Sequence, residues 1–138
     1  MRLPKSILPG ILVLSLAAMP AIADVVAVVS VRSPIDVLSA SQVVDIFLGK
    51  ARNFPNGTPA VPIDQAENST ARDEFYLRVG KSAAQIKAYW SKIIFTGRGQ
   101  PPPTAPNDIE IRKRIVGNPA AIGYIDRSLV DGTVKVVF

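Results

Sequence analysis

The chain alternates between unbroken apolar runs and segments in which apolar residues return every three or four positions. VVAVVSV, residues 25–31, is a β-branched run closed by Arg32, Ser33 and Pro34. Such a run predicts a strand buried on both faces, as in layered α/β domains. Val44, Phe47 and Leu48 then fall at helical spacing, with Ser39 or Ser41 as the cap, Gly49 as the stop and Lys50 behind it. Residues 51–59, ARNFPNGTP, hold two prolines and an Asn-Gly pair and predict a loop. AVPI, residues 60–63, predicts a short second strand.

Helical periodicity then takes over. IDQAENSTARDEF, residues 63–75, predicts a helix start at Asn68, Ser69 and Thr70, with Ala71, Phe75 and Val79 on one side and Gly80 as the end. Ser82 and Gln85 form a capping box for a further helix, whose broad apolar face is Ile86, Tyr89, Trp90, Ile93 and Ile94. TGRGQPPPTAP, residues 96–106, predicts an irregular segment. Asn107 with Glu110 reads as a second capping box, for a helix reaching about Val116. Asn118-Pro119 breaks it, AIGYI (121–125) predicts a strand, Asp131-Gly132 a turn, and TVKVVF (133–138) a last strand. The order β-α-β-α-α-α-β-β predicts one three-layer α/β domain, with a mixed, mostly parallel sheet flanked by helices.

The first 23 residues stand apart. Arg2 and Lys5 precede an almost wholly apolar run over residues 7–18, and Ala21-Ile22-Ala23 gives a small-x-small site. This pattern predicts a secretory signal peptide over residues 1–23, a mature domain over 24–138 and a periplasmic location. The apolar run is shorter than the roughly 20 residues of an ordinary span.

Charge and composition then narrow the chemistry. The chain carries 16 basic and 11 acidic residues. Without Arg2 and Lys5, 14 basic residues face the same 11 acids, a net +3. So mild a charge gives no reason to expect nucleic acid as a partner. There is no Cys and no His, which removes disulfides, thiol nucleophiles, thiolate metal sites and the commonest general base. No enzyme activity, metal or cofactor is expected. Asp64, Glu67, Asp73 and Glu74 lie within eleven residues, yet nothing in their spacing pairs them, and they read as exposed acids. Tyr124, behind Gly123, is open to a structural or a functional reading, because a glycine there lets backbone approach closely.

Residues 68–72 hold the strongest candidate chemistry. A helix start leaves several N–H groups unpartnered and carries partial positive charge. With the Ser69 and Thr70 hydroxyls they could surround a tetrahedral oxyanion. If Ser69 is the N-cap, Arg72 falls at N3, where a cation opposes the helix dipole unless an anion is bound. The competing reading is a plain cap at Ser69, with Arg72 paired to Glu67 or a nearby carboxylate.

Three segments together carry a family resemblance. LSASQVVDIFLGK (38–50), DQAENSTARDEF (64–75) and NPAAIGYID (118–126) resemble, in that order, segments of phosphate-type periplasmic substrate-binding proteins of ABC transporters. Those are two-lobed proteins on longer chains, and the resemblance covers mostly one lobe. In their anion loop Ser69, Arg72 and Phe75 match, Thr70 stands where Gly is usual, Ala71 where a hydroxyl-bearing Thr is usual, and Gln65 where an Arg is usual. The resemblance implies oxyanion binding by Ser69, Thr70 and Arg72, with a weaker contribution from Ser30 or Ser33. It implies phosphate or a similar oxyanion as ligand and an ABC transporter permease as partner. With one face open to water, binding should be weak, roughly millimolar, and a homodimer closing one lobe on another would strengthen it. The alternative is an accessory, protein-interaction domain of the cell envelope that binds no ligand.

Overall fold

The first strand lies at the centre of everything that follows. In the computed structural model, which describes residues 2–4, 6, 9–15 and 24–138, β1 (Val25–Ser30) is buried at every position. Its odd residues Val25, Ala27 and Val29 join one apolar cluster, and Val26 and Val28 join another on the opposite face. That is the two-sided burial its unbroken β-branched run demands. The expected cleavage site at residues 21–23 lies outside the described residues. Among the described residues, no helix is long and apolar enough to cross a membrane.

Helix α1 (Ala40–Phe47) starts at Ser39, which makes a reciprocal capping box with Gln42 and settles the choice between Ser39 and Ser41. It is followed by β2 (Val61–Pro62), β3 (Asp64–Gln65), α2 (Thr70–Arg78), α3 (Ala83–Phe95), β4 (Thr104–Ala105), α4 (Asp108–Val116), β5 (Ala121–Asp126), a 3-10 turn at Arg127–Leu129, and β6 (Val134–Val136). Helices α1 and α2 end alike. At Gly49 and Gly80 the backbone turns to φ +71° and +86°, and the next amide reaches back to Asp45 or Tyr76. Only glycine adopts that conformation without strain, so each helix stops where its glycine stands.

The main sheet has the order β2-β5-β1-β6. It is mixed, as expected, but β1 runs antiparallel to both neighbours, and only β2 and β5 are parallel. The expected parallel bias came from the helical crossovers. The crossover out of β1 in fact leads to β2 at the sheet edge, and β5 then inserts between the two. A second, two-stranded parallel sheet pairs β3 with β4 inside the segment expected to be irregular. The Asn107–Glu110 box is only half formed: Asn107 accepts the Glu110 N–H, while the Glu110 carboxylate turns to Arg114.

The layers follow from the two clusters. Phe47, Phe75, Tyr76, Ile86 and Trp90 bring α1, α2 and α3 onto one face of the sheet. Ile111 and Ile115 bring α4 onto the other. A Cβ at Gly123 would lie 2.7 Å from Ile111 and 3.0 Å from Ile115. The glycine of AIGYI therefore serves close packing of α4 on β5.

Candidate functional site

The site forms where the chain leaves the main sheet. Ile63 N–H still bonds Ile122 C=O of β5 at 2.9 Å, and the next residue, Asp64, bonds Pro103 C=O at 2.9 Å to begin the small sheet. That switch carries Asp64 and Gln65 into the interior, 1% and 2% exposed. Asp64 had read as an exposed acid. Instead its carboxylate accepts the Tyr76 hydroxyl at 2.5 Å, the Tyr124 hydroxyl and the Gln65 N–H at 2.9 Å. Arg72 Nη1 lies 3.6 Å from it, with the guanidinium side chain only 14% exposed. A buried carboxylate persists only when paired and hydrogen-bonded, and these four groups supply that.

The two phenols respond strongly. Burial pushes the Tyr76 and Tyr124 hydroxyls far above their ordinary value, and the Asp64 charge and the hydrogen bonds to it add in the same direction. Arg72 offsets a little of this at Tyr76, as the Gln65 N–H does at Tyr124. Both are locked as donors. Tyr124 also stacks on Phe75 with 4.0 Å between ring centroids, so its role is structural.

Gln65 links this core to the helix start. Its Nε2 donates to Asp108 at 2.6 Å and to Tyr124 C=O at 3.0 Å, its Oε1 accepts the Ser69 hydroxyl at 3.0 Å, and its own C=O accepts Arg72 Nη1 at 2.9 Å. Ser69 is the N-cap of α2, accepting the Arg72 N–H at 3.3 Å. The plain-cap reading therefore holds for Ser69, and Arg72 is held by Asp64. Glu67 instead meets Lys87 at 3.9 Å, both largely exposed.

Ser69, Thr70 and Arg72 are thus brought together. Ser30 is not. Register places Ala27 opposite Tyr124 and Ser30 opposite Val134, three residues and about 10 Å further along β1. Its hydroxyl accepts the Arg32 N–H at 3.2 Å in a local turn. Thr70 is exposed, and no hydrogen bond to its hydroxyl or its N–H occurs among the described residues. The Ala71 N–H is likewise unpartnered there. Arg72 uses Nη1 for both its polar contacts and its guanidinium lies 5.7 Å from the Tyr76 ring centre; no hydrogen bond among the described residues uses its other nitrogens.

An open cavity of about 480 Å³ borders the Arg72 side chain and is bounded also by Asp64, Glu67, Lys87, Trp90 and Thr104, while Ser69, Thr70 and Ala71 do not line it. Two cations and two carboxylates face it. Lys87 and Trp90 line the cavity yet do not stand out in the sequence, because their spacing reads as an ordinary helix face. Thr104 was missed because a two-residue strand leaves no pattern. Among the described residues, no cluster of acids could hold a metal.

The three-layer α/β fold matches one lobe of solved substrate-binding proteins. A phosphate ABC transporter substrate-binding protein, so assigned, from Clostridium perfringens and solved with bound phosphate has a TM-score of 0.65 and 26% identity over 82% of this chain. An ABC-type phosphate transport receptor from Vibrio cholerae (TM-score 0.64, 18% identity) and PstS from Borrelia burgdorferi (0.60, 12%) also match over 82%. The matched region is 43%, 45% and 46% of those three chains, so the chain corresponds to a single lobe of the fold and spans less than half of each protein. No family model and no curated sequence matches it.

Proposed function

We propose that the chain is a periplasmic binding module, with residues 1–23 as its cleaved export signal. It recognises phosphate or a similar oxyanion weakly at the start of α2 and serves phosphate uptake by an ABC-type transporter. The observation that carries this reading is the state of Arg72. One terminal nitrogen is fixed on Gln65 and Asp64, no hydrogen bond among the described residues uses the others, and the side chain borders a cavity; the two amides that follow Ser69, at N1 and N2 of α2, are unpartnered among the described residues. A pre-oriented guanidinium and a helix start are the two donors that oxyanions favour. The likeness to a structure with bound phosphate supports the same reading. It is binding without chemistry.

The surroundings limit affinity. Each charge-assisted hydrogen bond contributes about 1.5–3 kcal/mol, association costs at least about 4 kcal/mol, and Asp64 and Glu67 repel the anion from the same wall. A net of about 4 kcal/mol corresponds to a dissociation constant near 1 mM. Amide NMR titration with phosphate, against chloride at equal ionic strength, tests this. Saturable shifts should centre on Thr70 and Ala71 and vanish in Arg72→Gln, with folding checked by the dispersion of the remaining resonances. Shifts that never saturate, or that persist unchanged in the variant, refute the proposal.

A second reading, an envelope accessory domain that binds a protein, has its own observation. Phe95 is 92% exposed and Ile94 56% at the end of α3, an unusual display of large apolar groups. Pull-down from envelope extract with wild type and Phe95→Ser decides it. A specific partner lost in the variant supports this reading, and identical recoveries exclude it.

A further inference from the structure

We infer that the ligand of this site is an organic oxyanion, a phosphomonoester or phosphonate carrying an apolar group about the size of one ring, rather than bare phosphate. This rests on the oxyanion reading and specifies it. Volume is the first observation. A five-atom oxyanion takes the place of two or three waters, at about 30 Å³ each. The cavity is about 480 Å³, within the roughly 300–1,000 Å³ of small-molecule sites.

The second observation is the gradient along one wall. Lys87, Trp90, Ser91 and Ile94 recur at helical spacing on α3 and all border the cavity. From Lys87 to Ile94 the helix rises about 10 Å, so one face passes from cation to aliphatic group within two turns. Pro101 and Pro102 continue the apolar end from the facing segment. Their fixed backbones need little further ordering to receive a ligand.

Ile94 is 56% exposed at that end, an apolar side chain left open among the described residues. Trp90 borders the cavity while being only 7% exposed, so a well-packed aromatic side chain forms part of the same wall. Charge sits at the other end. Arg72 and Lys87 receive the anionic head, while Asp64 and Glu67 disfavour a second anionic group beside it. A ligand with one charged head and one apolar body matches this arrangement.

Trp90 is the only tryptophan, so its fluorescence reports binding directly. Inorganic phosphate, phenyl phosphate and phenol are titrated separately into the full chain and into Ile94→Ser, with amide NMR in parallel. Phenyl phosphate should bind about tenfold more tightly than inorganic phosphate, from the apolar area a ring buries against this wall. In Ile94→Ser that ratio should fall towards one. Equal affinities in wild type overturn the inference and leave the oxyanion reading intact. A preference for phenyl phosphate unchanged in Ile94→Ser also overturns the inference. Phenol binding as tightly as phenyl phosphate, or no binding by either anion, overturns both.

Discussion

Alkali should unfold this protein through two residues. Tyr76 and Tyr124 donate to the buried Asp64 carboxylate, and burial with that charge raises both hydroxyls far above the ordinary value of about 10. A phenol whose folded-state pKa is raised contributes stability that is fully present below pH 10 and lost as pH rises past it, because only the unfolded chain can release the proton. At pH 11 each tyrosine accounts for about 1.4 kcal/mol of lost stability, and the pair for about 3 kcal/mol. That is a large part of a typical domain stability of about 5–15 kcal/mol. With no cysteine present, alkaline disulfide and thiol chemistry cannot confuse the measurement. Urea unfolding between pH 8 and pH 11, followed by circular dichroism, gives the slope. Tyr76→Phe should be less stable by about 1.5–3 kcal/mol at pH 8, the loss of one hydrogen bond to a charged group, yet decline about 1.4 kcal/mol less by pH 11. Other groups titrate alike in both proteins, so the difference isolates the phenol. Parallel stability curves for wild type and Tyr76→Phe would refute the reasoning.

Two further substitutions probe the frame around the site. Gly123→Ala places a methyl group 2.7 Å from Ile111 and 3.0 Å from Ile115, both fully buried, and should cost about 1–3 kcal/mol as overpacking, read as a melting temperature lowered by roughly 5–10 °C. An unchanged melting temperature would show that α4 can shift freely. Ser69→Ala removes the N-cap of α2 and the donor to Gln65, and should lower urea-unfolding stability by about 1 kcal/mol or slightly more.

The layers were legible because their causes are local. The β-branched run of β1, the Ser69 and Ser82 caps and the glycines after α1 and α2 each act within a few residues and formed where the pattern placed them, and the α1 cap formed at Ser39, one of its two candidates. Strand direction was not local: β1 pairs with residues about a hundred positions away, and crossover helices do not reveal which strand inserts beside it. The Asp64 cluster was hidden for the same reason, since its partners lie 12 and 60 residues further on. Arg72 stood out as a candidate from its odd place in a capping pattern, but the acid that holds it reads as a surface group in the sequence. Glu110 shows the opposite limit. Its spacing suited a box with Asn107, and a better cation four residues on drew it away.

The pairing of β1 also sets the order of events during folding. Among the described residues its sheet neighbours are β5 and β6, so β1 has no strand to join until residue 121 and those after it are present. Contacts spanning so much sequence form slowly, because a long loop must close before they repay that entropy.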